Sequence, residues 1–119
     1  MGREQRQDHR VTPEQNIYSA LGNGPYVIGK IIDIGLGGLA FEHTCELSFT
    51  DTIAKNLHIF YEDRDFFMTG IPCSVLYSKP QKTSREKIMR CGVKFQDLNE
   101  YQHDRLSSLV LKNTFGATP

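Results

Sequence analysis

No stretch of the chain approaches the ~20 consecutive apolar residues that a bilayer-spanning helix requires. Cysteine is scarce, with 3 in 119 residues. Cys45, Cys73 and Cys91 stand far apart without a C-x-x-C pair, so neither a disulfide framework nor a structural zinc site is expected. An excess of either charge is missing too: Lys+Arg and Asp+Glu balance at 14 each. A broad basic surface for duplex nucleic acid is disfavoured by that balance, whereas a small anionic ligand gripped by a few local arginines is not. The opening MGREQRQDHR lacks the apolar core of a secretory signal, which makes the cytoplasm the expected compartment. Catalytic signatures are equally absent: no G-x-S-x-G elbow, no P-loop and no H-E-x-x-H. His9, His43, His58 and His103 are scattered without metal-ligand spacing, and no nucleophile stands beside a visible base. The chain is therefore read as a non-enzyme without metal or cofactor.

What is present describes one soluble domain, 39% hydrophobic and 24% charged. Residues 1–12 form a charged arm, expected to be mobile because it has no apolar periodicity to dock it. The dense turn signal Leu21-Gly-Asn-Gly-Pro25 precedes a barrel expected over 24–96. Its strands are expected at Tyr26–Asp33, Leu39–Phe41, Leu57–Tyr61, Phe66–Ile71, Cys73–Ser78 and Met89–Phe95, where β-branched and aromatic residues cluster. Six short strands with turns between them point to a small antiparallel barrel or sandwich. A helix is expected over 99–113, with Asn99 as N-cap and Gln102 completing a capping box. Leu98, Tyr101, Arg105, Leu109 and Lys112 fall near one helix face, with Leu106, Val110 and Asn113 beside them. The fold class is thus mainly β: a six-stranded antiparallel barrel with a C-terminal helix and a flexible N-terminal arm.

Two segments can carry ligand chemistry. Arg6-Gln-Asp-His-Arg10 spaces two guanidiniums four residues apart, and guanidiniums grip phosphates with paired hydrogen bonds and stack on purines. Asp33-Ile-Gly-Leu-Gly-Gly38 places a carboxylate, which can accept paired N–H donors such as those on the Watson–Crick edge of guanine, beside glycines that permit positive φ and close approach of a ligand. Each alone has a plainer explanation: charged arms are usually solvated, and Asp before glycines is an ordinary turn. The glycine cluster is no dinucleotide-binding loop, because it precedes a strand and lacks a βαβ setting.

In this order the two segments are more specific. An Arg-x-x-x-Arg arm followed by Asp-x-Gly-x-x-Gly-Leu-x-Phe resembles the PilZ domain family, whose members typically show Arg-x-x-x-Arg and then Asp/Asn-x-Ser-x-x-Gly. The likeness extends to Cys91-Gly-Val-Lys-Phe95, Gln-Asp-Leu and the amphipathic helix through Arg105, Leu106 and Leu109, so it spans nearly the whole chain. The resemblance implies a split-barrel-type fold and a receptor for the bacterial second messenger cyclic di-GMP that signals to a protein partner, with no nucleic acid polymer and no membrane insertion. By position, Arg6 and Arg10 would clamp phosphates and stack on guanine, Asp33 would accept the guanine edge, and Gly35 and Gly38 would border the ligand. Arg3 and Gln5 would meet a second ligand molecule, since the family can bind an intercalated dimer.

One departure stands out: the family's serine is Gly35 here. Losing one such hydrogen bond costs roughly 0.5–1.5 kcal/mol, a few-fold to tenfold in affinity, and a water can bridge the same groups. Gly35 also favours the main alternative, a PilZ-like interaction module that binds no nucleotide. A barrel for single-stranded nucleic acid is the other, and zero net charge with 10% aromatics gives it little support.

Overall fold

The computed structural model describes residues 9–14, 16–22, 26–44, 55–63, 66–81 and 88–115. Six strands form a closed antiparallel barrel: β1 (Ile17–Leu21), β2 (Val27–Ile34), β3 (Gly38–His43), β4 (Lys55–Tyr61), β5 (Phe66–Pro80) and β6 (Met89–Phe95). The order around the barrel is β1-β2-β3-β6-β5-β4, with β4 closing onto β1. Closure gives every strand two neighbours, although the second half of β5 pairs on one side only. Alternating side chains fill the interior, among them Leu21, Ile31, Leu39, Phe41, Leu57 and Val93.

The strand count agrees with the sequence reading, but the strands are not the same six. The expected barrel over 24–96 starts too late, because β1 at Ile17–Leu21 supplies its first strand. Ser19 and Ala20 dilute the β-branched signal there, yet Ile17 and Leu21 are fully buried. The expected pair Phe66–Ile71 and Cys73–Ser78 is one strand of 15 residues. Pro72 reads as a break because it has no N–H for the ladder; here it faces Asn56 on β4, and its carbonyl accepts from Gln96 N at 2.8 Å. Gly70, at φ 66°, takes up the bend at a register shift, and His58 Nδ1 accepts from its N–H at 3.1 Å. So bent, β5 serves β4 with its first half and β6 with its second, and Cys73 pairs with both Lys55 and Phe95.

Two bulges fall on the same level of the barrel and set its outer surface. On β2, Ile31 pairs with Phe41 and Asp33 with Ala40, so Ile32 is an extra residue. Without it, strict alternation after the buried Ile31 would turn Asp33 inward. With it, Ile34 is fully buried and Asp33 reaches the outer face. On β5, Val75 pairs with Val93 and Tyr77 with Gly92, leaving Leu76 over. Since Ala40 pairs with Gly92, one row across four strands reads Asp33, Ala40, Gly92, Tyr77.

The helix α1 (Glu100–Phe115) begins where the capping signal placed it. Gln102 N donates to Asn99 Oδ1 at 2.7 Å, and Asn99 N donates to Gln102 Oε1 at 3.1 Å, the reciprocal bonds of a capping box. Its docking face is Leu106, Leu109 and Val110, all buried in the barrel's own core cluster. Leu98 and Leu109 of the expected stripe pack there too, whereas Tyr101 turns away and is 66% exposed. Arg105 lies flat on Phe67, its guanidinium carbon 4.4 Å from the ring centroid, and donates to the Phe67 carbonyl at 3.0 Å. Leu106→Ala is expected to lower stability by about 3 kcal/mol, because Leu106 is fully buried where the helix meets the barrel. Denaturant titration of both proteins measures the difference.

The arm is not free as far as residue 12. Val11 forms a two-way bridge with Ile34, each N–H donating to the other's carbonyl at 2.9 Å, and its side chain joins the core. Glu14 N donates to Asn113 Oδ1 at 2.8 Å, so the segment entering the barrel is held between β2 and the end of α1. A single valine carries no periodicity, which is why the sequence pattern gave no sign of this docking.

Candidate ligand-binding site

The Val11–Ile34 bridge delivers Arg10 to the outer face beside Asp33. Arg10 Nε stands 3.4 Å from Asp33 Oδ1, and its Nη1 donates to the Gly38 carbonyl. Residues 23 and 28 positions away in the chain are thus joined to one guanidinium. Asp33 carries a second cation that the sequence did not single out: Arg90 Nη2 donates to Oδ2 at 3.2 Å. The three side chains are only partly covered, with 31% of Arg10, 25% of Asp33 and 33% of Arg90 exposed. They sit partly exposed at the surface, close enough to solvent for a ligand to meet Arg10 and Arg90. The Arg10 contact is an ion pair without hydrogen-bond geometry, and Asp33 Oδ1, itself shielded from solvent, accepts no hydrogen bond among the described residues.

Arg90 could have been anticipated in part. It directly precedes the Cys91-Gly-Val-Lys-Phe95 segment, and Ile31-Ile32 before Asp33 breaks the alternation of β2 in the way a bulge does. What no local pattern reveals is the β3–β6 register, which sets Arg90 opposite Glu42 and two pairs along from the Ala40–Gly92 pair.

The turn between β2 and β3 differs from expectation in its glycines. Gly35 N donates to the Gly38 carbonyl at 2.9 Å, and Phe95 N donates to the Gly37 carbonyl at 2.9 Å. The positive-φ glycines among the described residues are Gly22 and Gly70, so Gly35, Gly37 and Gly38 do not serve by left-handed backbone. Gly38 is required for another reason. A Cβ there would stand 2.1 Å from the Val93 carbonyl oxygen, so only hydrogen fits between β3 and β6. Likewise a Cβ at Gly92 would meet the Tyr77 ring at 2.3 Å, which places that ring flat over Gly92. In the row that starts at Asp33, Ala40 and Gly92 are therefore buried, with Tyr77 covering Gly92.

Of the remaining predicted residues, Arg6 lies outside the described residues, as do Arg3 and Gln5. Neither described cysteine offers a nucleophile: Cys73 and Cys91 are buried in the barrel, and burial, with Cys73 nearby, pushes the Cys91 thiol up to about 12. Among the described residues no group of three or more His, Cys, Asp or Glu could hold a metal ion, and no helix is long and apolar enough to cross a membrane. A second concavity of about 770 Å³ lies on the outer face of β1, β2 and β4. Tyr18 and Phe60 stack there at 5.8 Å, and Tyr26 meets His58 edge-on at 5.5 Å. Its lining among the described residues includes Glu62 and no arginine, the wrong charge for a phosphate ligand.

The sequence profile of the PilZ domain matches residues 4–112. This chain belongs to the PilZ domain family. No curated protein sequence matches it, but solved PilZ structures share its fold at low identity. The PilZ domain with c-di-GMP of YcgR from Escherichia coli superposes with a TM-score of 0.74 at 9% identity, covering 94% of this chain and 93% of that one. MrkH of K. pneumonia in its apo state gives 0.77 at 17% identity, and the Bacillus subtilis inhibitor of motility MotI/DgrA gives 0.77 at 14%. Each covers 98% of this chain, which spans only 53% and 55% of theirs. The PilZ barrel and its C-terminal helix are therefore the shared unit.

Proposed function

We propose that this PilZ domain is a receptor for cyclic di-GMP, performing no chemistry on the ligand and passing its occupancy to a protein partner in the bacterial cytoplasm. The observation that carries this reading is the convergence of Arg10, Asp33 and the Gly38 carbonyl at one exposed point. Arg10 supplies charge for a phosphate and a flat face for a purine. Asp33 Oδ1, lacking a hydrogen bond, is an acceptor for the guanine edge. Gly35 and Gly38 border the same turn, and Arg6, four residues before Arg10, would be the second clamp. No cofactor is needed, because recognition of this kind uses only hydrogen bonds, charge and stacking.

The docked Val11 means that the arm next to the site is ordered before any ligand binds. Arg10 is already beside Asp33, so binding loses less conformational entropy there than the ordering of a wholly free arm would cost. The signal then lies in how the ligand rearranges the Arg10 and Arg90 contacts on Asp33 and what surface results. Titration followed by amide chemical shifts tests the placement: cyclic di-GMP should move Arg10, Val11, the 33–38 turn and Arg90, and leave the Tyr18–Phe60 groove still. Shifts confined to the groove would place the ligand elsewhere.

Gly35→Ser restores the family's hydroxyl at a residue whose φ any side chain can adopt. It should raise affinity a few-fold to roughly tenfold, read by calorimetry on both proteins. The second reading, an interaction module that takes no nucleotide, draws on the same Gly35 and on the apolar groove, which would then be the surface a protein partner meets. It predicts that Gly35→Ser changes nothing.

A further inference from the structure

Arg90 holds Asp33 from the side opposite Arg10. One guanidinium faces Oδ1 and the other donates to Oδ2, so a ligand edge laid against the carboxylate runs from one arginine toward the other. Guanine presents three groups in a row along its Watson–Crick edge: two N–H donors and then the O6 acceptor. The complement is two acceptors followed by a donor. Asp33 Oδ2 and, once the Arg10 side chain facing it gives way, the shielded Oδ1 supply the acceptors, and a carboxylate has about four lone-pair sites, so Oδ2 can keep Arg90 while accepting from the base. Arg90 has further N–H groups in its fork beyond the one spent on Oδ2.

On the receptor reading above, we propose that Arg90 donates to guanine O6, completing with Asp33 an acceptor–acceptor–donor row that selects guanine over adenine. Adenine would turn an amino group toward Arg90 and a bare ring nitrogen toward Asp33, setting donor against donor and acceptor against acceptor. The selectivity thus resides in a residue on β6, outside both the arm and the turn, brought into place by the β2 bulge and the β3–β6 pairing.

The test is a cycle of two proteins and two ligands, because a residue and a ligand atom that touch are non-additive. Wild type and Arg90→Ala are each titrated with cyclic di-GMP and with its 6-thioguanine analogue, in which sulfur, a poorer acceptor, replaces O6. Thermal melting of both proteins confirms that the partly exposed Arg90 is not needed for folding. Arg90→Ala should weaken cyclic di-GMP roughly ten- to a hundredfold. In wild type the thio analogue should bind several-fold more weakly than cyclic di-GMP, and in the variant the two should bind alike. If the sulfur penalty survives in Arg90→Ala, Arg90 only positions Asp33 and the O6 assignment is overturned. Unchanged cyclic di-GMP affinity in the variant overturns it as well. If wild type binds no cyclic di-GMP at all, the receptor reading fails, and this inference with it.

Discussion

Arg10→Ala is expected to lower affinity for cyclic di-GMP roughly ten- to a hundredfold while shifting the melting temperature by no more than a few degrees. The asymmetry follows from where Arg10 sits. Its ion pair with Asp33 is about a third open to solvent, and pairs of that kind contribute only ~0–1 kcal/mol to folding. The arm's anchorage does not depend on it, because the two Val11–Ile34 hydrogen bonds are backbone to backbone and the Val11 side chain is buried. The ligand, by contrast, would lose a charge-assisted donor that no neighbour replaces: Arg90 approaches Asp33 from its other oxygen. Calorimetric titration for affinity and circular dichroism melting for stability separate the two effects. Arg10→Lys should recover only part of the loss, since lysine keeps the charge but not the planar fork. A variant that binds like wild type would remove Arg10 from the site.

Gly38→Ala is expected to behave in the opposite way, destroying stability before binding can be judged. The new methyl would stand 2.1 Å from the Val93 carbonyl oxygen and 3.2 Å from the Lys94 Cα. Both are backbone atoms of β6, so no side chain can rotate aside. The strand itself must retreat, pulling apart the pairing of Gly38 with Lys94 and Leu39 with Val93. A loss on the order of 3–5 kcal/mol is expected, a large share of the ~5–15 kcal/mol that holds a domain of this size together. Denaturant unfolding measures it, and an alanine variant of native stability would mean that the two strands do not approach this closely. Loss of ligand binding in Gly38→Ala therefore says nothing about ligand contact. The glycine at this motif position can be required by the barrel alone.

That distinction bears on how much the sequence could reveal. The Asn99–Gln102 capping box, the strands of Tyr26–Asp33 and Met89–Phe95, and the pairing of an arginine arm with Asp33 were all legible, because each depends on residues within a few positions or on a motif order. Features set by register were not. Arg90 joins the site only through the β3–β6 ladder, and Asp33 reaches the surface only because Ile32 is an extra residue in β2. The motif alone reads Gly38 as a residue bordering the ligand, whereas its neighbour is a carbonyl three strands later in sequence. Pro72 looked like a strand end, yet β5 passes through it because its missing N–H coincides with a position whose carbonyl does the bonding. Strand β1 was overlooked because Ser19 and Ala20 are poor strand formers whose place is secured by closure of the barrel on both sides.

The most direct measurement is calorimetric titration of the purified domain with cyclic di-GMP, using GMP and GTP as controls. Saturable binding, selective over both mononucleotides and lost in Arg10→Ala and Asp33→Ala, is the predicted result, and its stoichiometry gives the number of ligand molecules held. An absence of heat at high ligand concentration, with shifts absent at Arg10 and Asp33 under the same conditions, would contradict the account.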